Sequence, residues 1–158
     1  MIVGIETGGT KVVCAAGRAE APDRPVLTRR FPTTDPDETI GRIRDFLAEA
    51  GADEPVEALG VASFGPVDAD PSSPRFGTVT TTPKPGWADV DLLARVNREA
   101  LPAAFVSDVL GAAGSPSRFT RASRSTSAQP GFGVVVTDPN RGLPGAASTG
   151  PKLSLIHI

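Results

Sequence analysis

The sequence predicts an α/β fold, a layered lobe in which a hairpin is followed by alternating helices and strands. Three observations predict it: apolar residues run in short blocks of strand length, a well-capped amphipathic helix separates two of them, and glycines mark the turns. A chain of 158 residues is long enough for one domain with a hydrophobic core and too short for two ordinary ones.

The predicted hairpin comes first. An apolar run over residues 2–6 leads to Gly8 and Gly9, and a second run covers residues 11–16. Two apolar runs joined by a short glycine turn are typical of antiparallel strands. A third strand is predicted over residues 26–31.

A helix with clear end signals follows. Asp35 is suited to the N-cap, Pro36 to the first helical position, and Glu38 lies three residues after the cap. Gly51 is a natural stop. The residues expected to face the core recur at helical spacing: Ile40, Ile43, Leu47 and Ala50.

The next elements complete the lobe. Residues 58–64 are almost continuously apolar, as in a strand that is buried on both faces. A second helix is predicted over residues 91–101, with Leu92, Leu93 and Val96 inward, and a short buried strand over residues 103–106.

The composition changes after Asp108, because only one acidic residue, Asp138, follows it. We therefore expect a folded lobe over residues 1–108 and a tail over residues 109–158 that is either disordered or not genuine coding sequence. Residues 115–130 lack helical and strand periodicity, and the final six residues resemble translated sequencing adapter.

Bulk properties exclude several classes of protein. The net charge of −2 and the lack of a basic stripe argue against nucleic-acid binding. No segment approaches the roughly 20 apolar residues of a membrane span, and no signal peptide is evident, so a cytoplasmic location is expected. Cys14 is the single cysteine, which leaves no internal disulfide and no cysteine-based zinc cage.

The first motif with chemical potential is GIETGGTK, over residues 4–11. Backbone amides at two adjacent glycines can cradle a phosphate, and Thr10 and Lys11 add donors and positive charge. The pattern is not a nucleotide-binding P-loop, because Lys11 is followed by a strand instead of a helix. A plain hairpin turn is the structural alternative.

Three further motifs lie at or after predicted strands. SFGPVD, residues 63–68, ends a buried strand, where α/β sheets bind ligands. TTTPKPGW, residues 80–87, combines hydroxyls with the single Trp and suits a polyol such as a sugar. Asp108 follows a strand and is placed to accept a proton. The structural alternatives are a turn, a surface loop anchored by its Trp, and a helix cap.

The order of four motifs along the chain resembles the fructokinase branch of the ROK sugar kinases. The motifs are GIETGGTK, SFGPVD, TTTPKPGW and SDV. The resemblance implies the amino-terminal lobe of an actin-like ATPase (ribonuclease H-like) fold, present without its second lobe. TPKPGW favours fructokinase over the glucokinase and N-acetylhexosamine kinase branches.

The resemblance also implies roles for individual residues. Gly8, Gly9, Thr10 and Lys11 would hold the ATP phosphates, and Glu6, where the family often has Asp, would place Mg²⁺ through water.

On the sugar side, Gly65, Gly86 and Trp87 would shape the sugar pocket, and Asp108 would be the catalytic base. The implied reaction converts ATP and fructose to fructose 6-phosphate and ADP, in a homodimeric parent enzyme. The alternatives are a kinase for glucose or another hexose, or a sugar-responsive repressor, which would need a DNA-binding domain before Met1.

The sequence departs from the family at several points. Leu110 stands where the family has Asn, and the second phosphate loop is only echoed in residues 131–133. The family's Glu-x-Gly-His motif and its zinc-binding cluster are absent, since His157 is the only His and its context differs. We therefore expect the chain by itself to be inactive.

Overall fold

The computed structural model describes residues 1–21, 24–108, 133–136 and 154–157. Along the chain the elements are β1 (Ile2–Thr7), β2 (Lys11–Gly17), β3 (Leu27–Pro32), α1 (Pro36–Ala50), β4 (Ala58–Ser63), β5 (Thr78–Val79), β6 (Val90–Asp91), α2 (Leu92–Val96), β7 (Ala103–Ser107), β8 (Gly133–Val136) and β9 (Ser154–His157).

A five-stranded mixed sheet forms the centre of the lobe, in the order β3-β2-β1-β4-β7. β1, β2 and β3 are joined antiparallel, which confirms the predicted hairpin, whereas β4 lies parallel to β1 and β7 parallel to β4. Because β1, β4 and β7 run in the same direction, their carboxyl ends meet at one edge of the sheet. We call this the carboxyl edge.

Helix α1 packs on one face of the sheet. Asp35 caps it as predicted, since its Oδ1 accepts a hydrogen bond from the Glu38 N–H at 3.0 Å. Its buried side chains are Thr39, Ile40, Ile43, Phe46 and Ala50. The last four form one hydrophobic core with the inward residues of the central strands. Of the described helices, none has the length and apolar character to cross a membrane.

The second helix is shorter than predicted. α2 ends at Val96, because the side chain of the next residue, Asn97, forms hydrogen bonds with the backbone of Leu101. The Asn97 Oδ1 accepts from the Leu101 N–H at 2.9 Å and its Nδ2 donates to the Leu101 carbonyl at 2.8 Å. Local bonds of this kind compete with helical ones, and Ala100 adopts a φ of 51° in the resulting turn.

Two regions contain strands that were not predicted. β5 and β6 pair antiparallel and are two residues long, too short to show periodicity. In the tail, where no packed structure was expected, β8 and β9 also pair antiparallel. The expectation for residues 115–130 falls outside the described residues.

Burial makes Cys14 chemically inert in the folded state. The side chain has no exposed surface, and burial raises the pKa of its thiol to about 12. Since the thiolate is the reactive form, its fraction at pH 8 is on the order of 10⁻⁴. We expect iodoacetamide to label the native chain far more slowly than the urea-unfolded chain, as measured by mass spectrometry. Equal labelling rates would contradict the buried position.

Candidate functional site

The carboxyl edge brings the predicted phosphate turn and the predicted base together. Thr7 pairs with Ser63, and Ser63 with Ser107, so the three strands end in one row. Gly8 follows the last residue of β1, and Asp108 follows the last residue of β7. Neighbouring strands lie about 4.8 Å apart, which puts the two backbones roughly 10 Å from each other.

The turn over residues 8–11, which we call the glycine turn, is fixed by hydrogen bonds to its carbonyl groups. The Gly8 N–H donates to the Lys11 carbonyl at 2.8 Å. Thr33, buried just after β3, donates its hydroxyl to the Gly8 carbonyl at 2.7 Å and its N–H to the Thr10 carbonyl at 3.0 Å. Gly9, Thr10 and Lys11 are exposed. The sequence analysis missed Thr33, because nothing local marks it as a partner of the turn.

The two glycines of the turn differ in the space around them. A Cβ at Gly8 would lie 3.1 Å from the Lys11 carbonyl oxygen, closer than such contacts normally come. A Cβ at Gly9 would meet nothing within 4 Å, and Gly9 is not in the left-handed region. A side chain at position 8 would therefore crowd the backbone of the turn, whereas at position 9 the missing side chain leaves open space in front of exposed backbone.

This difference gives a matched pair of substitutions. Gly9→Ala should change the free energy of unfolding by less than about 0.5 kcal/mol. It should weaken the binding of inorganic tripolyphosphate tenfold or more, because the methyl group obstructs a charge-assisted hydrogen bond worth about 1.5–3 kcal/mol. Gly8→Ala should instead destabilise the fold by roughly 1–3 kcal/mol through the close contact. Thermal denaturation and calorimetric titration measure both, and unchanged tripolyphosphate affinity in Gly9→Ala would argue for a plain hairpin turn.

The loop over residues 80–87, which we call the 80–87 loop, packs against the loop that follows β4. Thr80 donates both its N–H and its hydroxyl to the Pro66 carbonyl at 2.9 Å. Gly65 has a φ of 78°, and a Cβ there would lie 3.3 Å from the Thr81 carbonyl oxygen. The backbone alone therefore accounts for glycine at position 65.

Trp87 holds the 80–87 loop to the start of α1. Its side chain has no exposed surface, it packs edge-on against Phe64 with ring centroids 5.1 Å apart, and its Nε1 donates to the Thr34 carbonyl at 2.8 Å. Gly86 has a φ of 78° and approaches Pro36. The indole is enclosed by the core, which agrees with the structural alternative of a loop anchored by its Trp. Trp87 therefore positions the 80–87 loop from within the core.

A long-range hydrogen bond joins the 80–87 loop to the glycine turn. The Lys84 Nζ donates to the Gly9 carbonyl at 2.9 Å, across 75 positions of sequence. The loop and the turn therefore form one surface at the carboxyl edge. Sequence reasoning did not single out Lys84, although a lysine between two prolines in a hydroxyl-rich loop indicates a candidate binding residue.

Carboxylates suited to a hard cation flank the same edge. Glu6 is half-buried one residue before the end of β1, and Asp108 lies one residue after the end of β7. Within the described ranges, no three His, Cys, Asp or Glu side chains are grouped to hold a metal ion. Mg²⁺ is usually bound through one or two carboxylates together with substrate phosphates and waters, so these donors fit Mg²⁺ that arrives with a nucleotide.

A groove of about 400 Å³ lies at the opposite edge of the sheet, where its lining includes Met1, Arg18 and Glu54. It contains none of the residues predicted for the site. We place the candidate site at the carboxyl edge because the glycine turn, the 80–87 loop and Asp108 converge there.

Comparison with known proteins identifies the family to which the chain belongs. The model of the ROK family matches residues 2–128. The chain is 41% identical over 117 residues to the fructokinase of Pediococcus pentosaceus, covering 72% of this chain and 38% of that one. It is 40% identical over 107 residues to the fructokinase of Streptococcus mutans, covering 66% and 35%.

Among solved structures, the ROK family glucokinase of Streptomyces griseus, in complex with glucose and AMPPNP, superposes with a TM-score of 0.58 at 23% identity. The superposition covers 96% of this chain and 48% of that one. The chain belongs to the ROK family, and its actin-like fold is confirmed. It spans a little over a third of the length of the curated relatives that it matches.

Proposed function

We propose that this chain is the amino-terminal lobe of an ATP-dependent hexose kinase that converts fructose to fructose 6-phosphate. The observation that carries the proposal is the strand register that brings Asp108 and the glycine turn to the same edge of the sheet. The names and identities of the curated relatives support the choice of fructose.

Each group at the edge has a part in the proposed reaction. Asp108 takes the proton from the sugar hydroxyl while the hydroxyl oxygen attacks the γ-phosphorus. The bond between that phosphorus and the β–γ bridging oxygen breaks, which releases ADP. Backbone amides of the glycine turn and the Lys11 ammonium stabilise the negative charge of the phosphates. Mg²⁺ bound with ATP, near Glu6 through water, would neutralise further charge.

The 80–87 loop supplies the sugar side. Thr81 and Thr82 lie on it, and both residues approach Gly65. Their hydroxyl groups are donors and acceptors that suit a polyol. Trp87 fixes the loop from within the core, so this wall of the sugar site is formed before the substrate arrives.

We further propose that the 158-residue chain alone does not turn over. In the proposed enzyme the described residues supply one wall of a cleft, and phosphoryl transfer requires both substrates to be held in line within it. Water on the open side weakens each electrostatic contact with the phosphates.

A complete enzyme for testing is obtained by joining residues 1–108 to the carboxyl-terminal part of the Pediococcus pentosaceus fructokinase; we call it the joined enzyme. A coupled ADP-release assay should show a higher kcat/KM for fructose than for glucose, and no turnover by the 158-residue chain. A preference for glucose would overturn the choice of sugar, and a well-folded joined enzyme inactive on every hexose would overturn the kinase proposal.

A further inference from the structure

Lys84 brings a positive charge onto the glycine turn from a distant part of the chain. Its ammonium lies 2.9 Å from the Gly9 carbonyl oxygen, at the residue where the missing side chain leaves open space. An ammonium has three donors, and this bond occupies one of them. Two donors therefore remain for an anion that approaches the turn.

The position of Lys84 is set by the fold. Pro83 and Pro85 restrict the backbone on both sides, and the Lys84 N–H donates to the Thr82 hydroxyl at 3.2 Å. The loop is held at one end by Thr80 and at the other by the buried Trp87. The stem of Lys84 thus starts from a rigid base, which reduces the conformational entropy lost when its ammonium binds a ligand.

Among the described residues, Lys84 forms no ion pair with a carboxylate. Within the part of the chain that the structure describes, all five ion pairs use arginines, and neither Lys84 nor Lys11 takes part in one. Lys11 lies two residues from Gly9 on the same turn. Two lysines that form no ion pair with a described carboxylate therefore contribute positive charge at one exposed turn, and this arrangement favours a multiply charged anion.

We propose that Lys84 is a second phosphate-binding residue, which contacts the terminal phosphate of a nucleotide held by the glycine turn. The inference rests on the proposed function of that turn. Lys84 belongs to the loop that also packs beside Gly65, so it approaches the phosphates from the sugar side, where the transferred group lies. Its charge there stabilises the phosphoryl group during transfer.

The structural alternative is that Lys84 only latches the loop to the turn. An ammonium bonded to one carbonyl at a solvent-accessible position stabilises a fold weakly, and Trp87 already anchors this loop. Lys84→Gln separates the two roles, since glutamine keeps an N–H donor for Gly9 but has no charge. A latch predicts unchanged anion affinity in this variant, whereas a phosphate contact predicts a loss.

The chain has only three lysines, Lys11, Lys84 and Lys152, which makes direct observation practical. Reductive ¹³C-methylation keeps their charges and gives each lysine its own NMR signal, assigned from single variants. During titration with inorganic tripolyphosphate, the Lys11 and Lys84 signals should shift with the same dissociation constant, and the Lys152 signal should remain in place.

Calorimetry on unmethylated variants completes the test. Lys84→Gln should weaken tripolyphosphate binding about fivefold, the range of one partly exposed charge contact. Lys84→Arg should bind nearly as well as the unchanged chain, and so should Lys152→Gln, which removes the same charge elsewhere. If Lys84→Gln binds normally while Gly9→Ala binds weakly, the role of Lys84 is wrong and the glycine turn stands. If tripolyphosphate shifts no lysine signal and does not bind, the phosphate role of the turn fails, and that of Lys84 with it.

Discussion

Replacing Asp108 with asparagine should lower the kcat of the joined enzyme by about 10²–10⁴, the usual contribution of a general base. The KM for the sugar should change much less, because asparagine keeps the size and hydrogen-bonding capacity of the side chain. Steady-state kinetics with fructose and saturating Mg-ATP measure both constants. The substitution is decisive because asparagine caps a helix as well as aspartate does, so a capping role for Asp108 predicts an unchanged kcat.

Asp91 provides a matched control for this substitution. Its Oδ1 accepts a hydrogen bond from the Ala94 N–H at 3.0 Å, as the N-cap of α2, and it lies outside the row of strand ends at the carboxyl edge. Asp91→Asn should preserve both the cap and the turnover number. If Asp108→Asn behaves like Asp91→Asn, Asp108 is not the base.

Truncating Trp87 to alanine should lower the free energy of unfolding of the 158-residue chain by about 3–5 kcal/mol, as for other large buried aromatic residues. The change opens a cavity beside Phe64 and removes the donor that satisfies the Thr34 carbonyl. A domain of this size is typically stable by only about 5–15 kcal/mol, so the variant should unfold at much lower urea concentrations. Urea titration followed by circular dichroism measures the loss.

Val26→Ala is the control for Trp87→Ala, since Val26 is a large apolar side chain that is 63% exposed and should be replaceable with little effect. Two results together would reverse our assignment. Trp87→Ala would lower the free energy of unfolding by less than about 1 kcal/mol, far below the cost of truncating a buried Trp, and it would weaken fructose binding by the joined enzyme. Trp87 would then be a sugar-binding residue in solution.

Sequence reasoning succeeded where the determinants of structure are local. The Gly8–Gly9 pair predicted the hairpin, and Asp35 with Pro36 predicted the start of α1, because turns and caps are specified by residues close in sequence. Apolar runs of strand length predicted the buried strands β4 and β7, which the structure shows to be parallel to β1. The row of strand ends then follows from the sheet, so the relative placement of Gly8 and Asp108 was predictable.

The remaining features depend on contacts between distant segments. Thr33 and Lys84 both donate hydrogen bonds to carbonyl groups of the glycine turn. The residues around Thr33 and Lys84 in the sequence do not indicate these partners. Trp87 was open to two interpretations because an aromatic residue on a loop stacks on ligands or anchors the loop, and only burial separates them. α2 ends before residue 101, where the prediction placed its end, because the Asn97 side chain forms a hydrogen bond with the Leu101 N–H. Hydrophobic periodicity does not reveal such a bond.

All four carbonyl groups of the glycine turn accept hydrogen bonds from within the lobe: Gly8 and Thr10 from Thr33, Gly9 from Lys84, and Lys11 from Gly8. Glycine-rich segments have the most conformational freedom to lose when they become ordered. Here that loss occurs when the lobe folds, so it does not subtract from the affinity for a ligand. The turn is therefore ordered before a ligand binds, and its affinity depends on residues that are remote in sequence: Thr33, just after β3, and Lys84 on the 80–87 loop.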